Sequence, residues 1–182
     1  MQNFSVPTKD QVSTNNQTIF ENLQKGLGFV PNLYAYIAKN DTALGDYLAY
    51  QNRKSSLSAK EKEVVNLVTS QINGCAYCLA AHTAIGKMNG FTDEQILGIR
   101  AVSVDFDSKI EALALLTRAL VNGRGKVADT VKEQFFNAGY SEANFIDVVI
   151  VISDITVTNY VHNFTQVPVD FPAAVALEAE LV

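Results

Sequence analysis

The sequence predicts an all-α fold of about six to nine helices, and three observations support this prediction. Only four prolines occur in the 182 residues, and none lies between residues 32 and 167, where a proline would break a helix. Apolar residues in that stretch mostly recur every three or four positions, which is the period of an amphipathic helix. Helix-capping patterns such as Ser58-Ala-Lys-Glu61 punctuate the same stretch.

Glycine and proline set the bounds of the first predicted helices. A helix at about 15–25 ends at Gly26 and Gly28, because glycine tolerates the left-handed conformation that often terminates a helix. Pro31 stands where the next helix begins, since its fixed φ suits a first turn. A third helix is expected at about 42–52, with Leu44, Tyr47 and Leu48 facing inward.

Capping residues define the central helices. Ser58 opens a helix by forming a capping box with Glu61, and Asn73-Gly74 ends it. The next helix starts near Cys75 and runs to about Gly90. Thr92 opens another by the same capping logic. Two further helices are expected at about 110–121 and 127–137, closed by glycines at 123 and 139.

The last helix is predicted from Ser141 to about Asn163, although its β-branched residues would also suit a strand. The cap at Ser141 and a helical spacing of apolar residues favour the helix. These apolar residues are Phe145, Val148, Val149, Ile152 and Ile155. The tail 166–182 contains two prolines and is predicted to be an extended arm of one domain spanning 1–182. Helix pairs opened by Ser58 and Ser141 suggest a duplicated unit.

Composition excludes several classes of protein. The net charge is −5 and lysine and arginine form no cluster, which argues against nucleic acid and anionic membranes as partners. The N-terminus lacks the pattern of a signal peptide, and the longest apolar run, at 148–152, is too short to span a bilayer. We therefore expect a cytoplasmic protein. No pattern indicates haem, flavin, nicotinamide or phosphate binding, so no cofactor is expected.

Two cysteines and a histidine form the most informative pattern. Cys75, Cys78 and His82 are three and four residues apart and therefore share one helix face, with Cys75 near the helix N-terminus, where a thiolate is stabilised. His82 can accept the Cys78 proton, and Glu63 on the preceding helix could orient the imidazole. A thiolate attacks peroxide to give a sulfenic acid, which a neighbouring thiol condenses to a disulfide. The pattern thus predicts thiol-based reduction of peroxides.

Less specific interpretations of these residues remain open. The cysteines could be buried and inert, or they could bind zinc with His82 and either Glu63 or His162, although structural zinc sites usually use four cysteine and histidine ligands. His162 is interpreted as a packed or interface histidine. Asn159 and Tyr160 are interpreted as helix-surface or interface residues. Core positions or subunit contacts, rather than a ligand site, are expected for Tyr34, Tyr36, Phe135 and Phe136.

The run 71–83, which contains both cysteines and His82, with Glu63 twelve residues before Cys75, resembles the alkylhydroperoxidase AhpD-like branch of the carboxymuconolactone decarboxylase superfamily. The core of the resemblance covers residues 57–99. It implies an all-helical bundle that assembles as a homo-oligomer, such as a trimer, a hexamer or a dimer. It further implies that Cys78 is the peroxidatic thiol, that Cys75 resolves it, and that His82 and Glu63 relay protons.

The resemblance also implies a small-molecule peroxide as substrate and a thiol or lipoyl-type protein as reductant. One position departs from some peroxidase members, which carry a histidine where Tyr77 lies between the two cysteines. A phenol with a pKa near 10 is a poor base at neutral pH, so the relay should be weaker or the substrate different. Two alternatives from other classes are a decarboxylase or lyase acting on a small cyclic acid, and a non-catalytic oligomeric or zinc-binding module. The decarboxylase branch lacks the cysteine pair, which argues against the first.

Overall fold

A computed structural model describes residues 4–177, and these residues form nine α-helices and a short 3-10 turn at Lys9–Gln11, with no strand among them. The all-α prediction is confirmed. The helices are α1 Thr14–Leu27, α2 Asn32–Ile37, α3 Ala43–Gln51, α4 Ala59–Ile72, α5 Ala76–Met88, α6 Asp93–Ala101, α7 Ser108–Gly123, α8 Asp129–Asn137 and α9 Glu142–Thr165.

The helices begin and end where the capping residues predict. Ser58, Thr92 and Ser141 each form a capping box, and the Ser58 hydroxyl accepts a hydrogen bond from the Glu61 backbone N–H at 3.2 Å. Such a bond satisfies one of the unpaired N–H groups of the first turn and contributes about 1 kcal/mol. At the other end of α1, Gly28 adopts a left-handed φ of 84°, which a side chain would disfavour.

Helix α4 lies at the centre of the domain and packs against α5, α6, α7 and α9. It has no wide polar face, because eight of its residues in a row, from Glu63 to Ser70, are buried. A helix that is apolar on most sides must be surrounded by other helices. Fully buried side chains on α4, α6, α7 and α9 form the main core. Among them are Val64, Val65, Leu67, Val68, Ile99, Leu113 and Val148.

Helix α9 is a helix despite its β-branched residues, because its buried face packs along α4. Val148, Val151 and Ile155 form that face, whereas Val149, which belongs to the apolar spacing that favoured a helix, is 41% exposed. By length and composition alone α9 could cross a membrane, contrary to the expectation drawn from the short run 148–152. A buried core helix passes the same test, and α9 packs here as a core helix.

After α9 the chain turns at Gln166, which has a left-handed φ of 52°, and continues without regular structure to residue 177. Several hydrogen bonds, among them the following three, hold this segment, which we call the arm, against the helices. The backbone N–H of Asn32 donates to Asp170 Oδ2 at 2.7 Å, Asn32 Nδ2 donates to the Pro168 carbonyl at 3.0 Å, and Arg100 Nη1 donates to the Val175 carbonyl at 2.6 Å. The predicted arm 166–182 extends beyond the described residues.

Candidate active site

The two cysteines lie at the N-terminus of α5, where the chain turns back from α4. Gly74 makes this turn possible with a left-handed φ of 65°, and the Cys75 N–H then donates to the Ser70 carbonyl at 3.0 Å. Cys75 is the N-cap of α5, and its sulfur accepts a hydrogen bond from the Cys78 N–H at 3.2 Å. The two residues are joined as a disulfide, with Cα atoms 5.3 Å apart. The helix N-terminus favours a thiolate when the pair is reduced.

The two sulfurs differ in what they face. Cys75 is fully buried, whereas Cys78, which is 2% exposed, lines a cavity of about 510 Å³. The Cys78 sulfur lies 3.8 Å from the Thr158 hydroxyl oxygen on α9. A molecule in the cavity therefore meets Cys78 first, and Cys75 lies behind it.

His82 follows Cys78 by one helical turn and also lines the cavity. Its Nδ1 lies 2.7 Å from Glu63 Oε2, and Asn66 Nδ2 donates to the other Glu63 oxygen at 3.0 Å. Burial lowers the pKa of His82, but the charge and hydrogen bond of Glu63, with a contribution from Asp154, outweigh burial and raise this pKa above 6.5. The imidazole can therefore hold a proton beside the Cys78 sulfur at neutral pH.

Tyr77 connects the cysteine helix to the arm rather than acting as a base. Its hydroxyl donates to Asp170 Oδ1 at 2.6 Å and accepts from the Leu33 backbone N–H at 3.3 Å. Burial, followed by the contact with Asp170, raises the pKa of the phenol well above 10. The Tyr77 ring also meets Phe171 edge-on, at a centroid distance of 5.6 Å, and both residues line the cavity. The residue between the two cysteines thus binds the arm through a hydrogen bond and a ring contact.

Sequence reasoning did not find Asp154, a carboxylate of α9 that lines the same cavity. Asp154 is 9% exposed, and its Oδ1 has no hydrogen-bond partner among the described residues. Burial raises the pKa of Asp154 above its ordinary value, against the opposing effects of the Tyr47 hydroxyl and of nearby positive charges. A signal for Asp154 existed, because it lies three residues after Val151 and four before Thr158, on the buried face of the helix.

The structure also shows the surroundings of three other residues that the sequence analysis considered. Asn159 is fully buried, accepts from Asn73 Nδ2 at 2.9 Å and donates to Ser70 Oγ at 3.2 Å, so its interpretation as a surface or interface residue is wrong. His162 is buried, and burial lowers its pKa; its ring packs 5.4 Å from that of Tyr77. Tyr34, expected in the core, also lines the cavity.

Apolar and aromatic side chains make up most of the cavity wall. These are Leu27, Phe29, Leu33, Tyr34, Tyr47, Tyr50, Tyr77, Ile85, Met88, Ile150, Val151 and Phe171. Four side chains that can exchange protons, Cys78, His82, Glu63 and Asp154, also line the cavity. Between residues 4 and 177 no three histidine, cysteine or acidic side chains are arranged to hold a metal ion.

These features define a class of helical protein whose buried Cys-x-x-Cys pair faces a cavity beside a carboxylate–imidazole pair. Residues 37–120 match the model of the carboxymuconolactone decarboxylase family. Over 110 residues the chain is 29% identical to the uncharacterized protein YdfG of Bacillus subtilis (strain 168), covering 59% of this chain and 74% of that one. These two matches support the resemblance to the carboxymuconolactone decarboxylase superfamily that the sequence indicates.

Solved structures share the fold over almost the whole chain. An uncharacterized peroxidase-related protein from Silicibacter sp. TM1040 superposes with a TM-score of 0.79 at 23% identity, covering 97% of this chain and 92% of that one. The AhpD-core peroxidase-related protein from Ralstonia eutropha JMP134 gives 0.78 at 18% identity, covering 98% and 93%. The debrominase Bmp8, in complex with 2,3,4-tribromopyrrole, gives 0.71 at 14% identity, covering 91% and 94%. At these identities the likeness shows the fold alone.

Proposed function

We propose that this protein is a cysteine-based peroxidase in which Cys78 attacks a hydroperoxide and Cys75 resolves the product. One observation carries the proposal: the Cys78 sulfur borders the cavity, bonded to a buried Cys75 and one helical turn from the His82–Glu63 pair. A peroxidase of this type needs an accessible thiolate, a second thiol within bonding distance and a group that moves protons. All three needs are met around this cavity.

The reaction proceeds in two balanced steps. The Cys78 thiolate attacks the terminal oxygen of ROOH, the O–O bond breaks, and the products are Cys78 sulfenic acid and, after protonation, ROH. The Cys75 thiolate then attacks the Cys78 sulfur, and the hydroxyl leaves as water once it has gained a proton. The two thiol protons thus end in ROH and water, and His82 is placed to take up the proton that Cys78 loses.

The cavity suggests the class of substrate. Its volume of about 510 Å³ exceeds what hydrogen peroxide needs, and its wall is mostly apolar and aromatic. A bulky alkyl or aryl hydroperoxide therefore suits it better than hydrogen peroxide. Since Cys75 and Cys78 are almost completely buried, the reductant must bring a slender thiol, such as a small molecule or a lipoyl arm, into the cavity.

Thiol titration tests this function. Reduced wild type treated with one equivalent of cumene hydroperoxide should lose both thiols and recover them with dithiothreitol. Cys78→Ser should consume no peroxide, because a serine hydroxyl cannot form a sulfenic acid. Cys75→Ser should react once, giving a sulfenic acid that dimedone traps. Equal single-turnover rates in wild type and Cys78→Ser would contradict the proposal.

Reductive debromination is a second candidate, favoured by the aromatic wall of the cavity and by the likeness to a debrominase. Here a thiolate would take the bromine from an electron-rich ring, a proton would replace it on carbon, and the second thiol would displace bromide to give the disulfide. The balance is ArBr plus two thiols giving ArH, HBr and one disulfide. Bromide release from tribromopyrrole by the reduced protein tests this candidate, and peroxide consumption without bromide release would favour the peroxidase.

We also propose that the protein is a cytoplasmic homo-oligomer whose subunits meet along α9. An exposed stripe of apolar side chains follows this helix on one side, at steps of three or four residues that are interrupted once, at Ser153. Such a stripe suits contact with a second copy of the chain. The stripe comprises Ile146, Val149, Val157, Tyr160 and Phe164. Light scattering should give a multiple of 19.8 kDa for wild type and a smaller species for Phe164→Lys. A wild-type monomer at micromolar concentration would contradict it.

A further inference from the structure

Asp154 is a buried carboxyl group that nothing in the fold requires. It lies on α9, lines the cavity and is 9% exposed, yet its Oδ1 has no hydrogen-bond partner among the described residues. A buried polar atom without a partner lowers the stability of the fold. Such a group persists where it serves a molecule that enters the site.

Two carboxyl groups face one imidazole in this cavity, and their surroundings differ. Glu63 contacts His82 at 2.7 Å and accepts from Asn66, so the imidazolium already has its counter-ion. Asp154 has no such contact on Oδ1. A carboxyl group that lacks a charged partner and lines the cavity is the better candidate to donate a proton to a molecule bound there.

Asp154 is surrounded by groups from four helices and one loop. Four of these groups lower the pKa of Asp154: the Tyr47 hydroxyl of α3, the Lys62 ammonium of α4, the His82 imidazole of α5 and the Arg53 guanidinium between α3 and α4. Tyr34 of α2 is also near. Arg53 is already engaged, because it pairs with Asp147. Burial outweighs these groups together and raises the pKa of Asp154.

The position of Asp154 relative to the reacting sulfur suits a proton donor. Thr158, whose hydroxyl oxygen lies 3.8 Å from the Cys78 sulfur, follows Asp154 by one helical turn on the same face. Residues so placed have Cβ atoms about 5–6 Å apart. A hydroperoxide with its terminal oxygen at the sulfur can therefore direct its second oxygen, the one that leaves as alkoxide, towards Asp154.

We propose that Asp154 is the general acid that protonates the departing alkoxide, a role that rests on the peroxidase function proposed above. As the Cys78 thiolate forms its bond to the terminal oxygen, the O–O bond breaks and its electron pair goes to the inner oxygen. That oxygen takes the proton of the Asp154 carboxyl group and leaves as ROH. The resulting carboxylate regains a proton from solvent, which has received the proton lost by Cys78 through His82.

Leaving-group dependence tests the role of Asp154. Single-turnover oxidation of reduced protein is measured with cumene hydroperoxide, whose alkoxide needs a proton, and with peracetic acid, whose carboxylate leaves without one. Asp154→Asn should slow the first reaction about 100-fold and change the second by less than about threefold. Asp129→Asn makes the same substitution at an exposed residue of α8, away from the cavity, and should leave the ratio of the two rates unchanged. Iodoacetamide alkylation of Cys78 should be similar in all three proteins.

Each outcome has one meaning. Equal slowing with both oxidants, or none with either, overturns the role of Asp154 while the peroxidase function stands. A wild type that reacts with neither oxidant overturns the proposed function and this inference with it. Asp154→Ala provides a second variant should Asp154→Asn fold poorly, which circular dichroism reports, and it should display the same selective loss.

Discussion

The two ends of the segment 147–154, on the buried face of α9, carry the same residue with pKa values shifted in opposite directions. Asp147 and Asp154 are two turns apart and similarly buried, at 8% and 9% exposure. Asp147 pairs with Arg53 and accepts from the Ser56 hydroxyl at 2.6 Å. Although burial acts in the opposite direction, these contacts hold the pKa of Asp147 well below its usual range, whereas burial raises that of Asp154.

The difference shows that hydrogen-bond and charge partners, rather than burial alone, decide in which direction the pKa of each of these carboxyl groups shifts. Around Asp147 the partners come from residues 53–56, so this end of α9, the anchoring end, fixes the connection between α3 and α4. Around Asp154 the hydrogen-bond partners are incomplete, and its neighbours include the cavity, Tyr47 and His82. At this end of the segment, which we call the reactive end, Asp154 lowers the stability of the fold and stays available for reaction, as is common at functional sites.

The largest expected effect concerns the reactive end. His82→Ala should slow iodoacetamide alkylation of Cys78 at pH 7 by about 100-fold in a Cys75→Ser background, because protonated His82 stabilises the thiolate. Glu63→Gln should act in the same direction with a smaller effect. Since Glu63 raises the pKa of His82, this stabilisation is present at neutral pH and is lost as pH rises through the raised pKa.

Both variants should recover part of their alkylation rate at alkaline pH, where hydroxide deprotonates the thiol directly. Asp147→Asn serves as the matched control at the anchoring end and should leave the alkylation profile unchanged. An identical profile in wild type and His82→Ala would mean that the spacing of Cys78 and His82 reflects helix packing alone.

Most of the fold was predictable because its signals are local. Ser58, Thr92 and Ser141 form the capping boxes that the sequence pattern indicates, since a cap depends only on residues within one turn. The Cys78–His82 relation was predictable for the same reason. Its assignment to a catalytic role stays a prediction.

The rest of the site was not predictable because it depends on contacts between distant segments. Asp154 faces the cysteines only because α9 packs along α4, and the arm reaches Tyr77 from residue 170, 93 positions along the chain. In the sequence Asp154 is one polar residue in an apolar helix, and Asn159 resembles a surface residue until Asn73 and Ser70 are found beside it.

At the anchoring end, Asp147→Asn should lower the free energy of unfolding by about 2 kcal/mol, because it leaves partly buried Arg53 without its charged partner. The pKa of Asp147 is depressed in the folded state, so its contribution is present above the unfolded-state pKa of about 3.9. That contribution is lost as pH falls through the folded value. Urea unfolding at pH 7 and pH 3 measures this, and the difference between the two proteins should be smaller at the lower pH. A constant difference would contradict the ionic origin.

The arm covers the reactive end, and Tyr77→Phe should loosen it by about 1 kcal/mol. The substitution keeps the ring packed against Phe171 but removes the hydrogen bond to Asp170. Hydrogen exchange of residues 167–175 should become faster, while α4 and α7 stay protected. Asn32→Ala, which removes the side-chain bond to Pro168 but not the backbone bond to Asp170, should have a smaller effect. Unchanged exchange in Tyr77→Phe would exclude Tyr77 as the fastener of the arm.

The smallest expected effect has the opposite sign to that of Asp147. Asp154→Asn should raise the free energy of unfolding at neutral pH by about 0.5–1 kcal/mol, because the amide has neither a charge to bury nor a proton that the unfolded chain would release. The pKa of Asp154 is raised in the folded state, so the folded protein binds this proton more tightly than the unfolded chain does. The carboxyl group therefore costs stability above its folded pKa, and that cost disappears as pH falls towards about 4. Urea unfolding of reduced wild type and Asp154→Asn across this range measures the difference. If Asp154→Asn were instead destabilised as much as Asp147→Asn, Asp154 would stabilise the fold as Asp147 does, and the two residues would not differ in role.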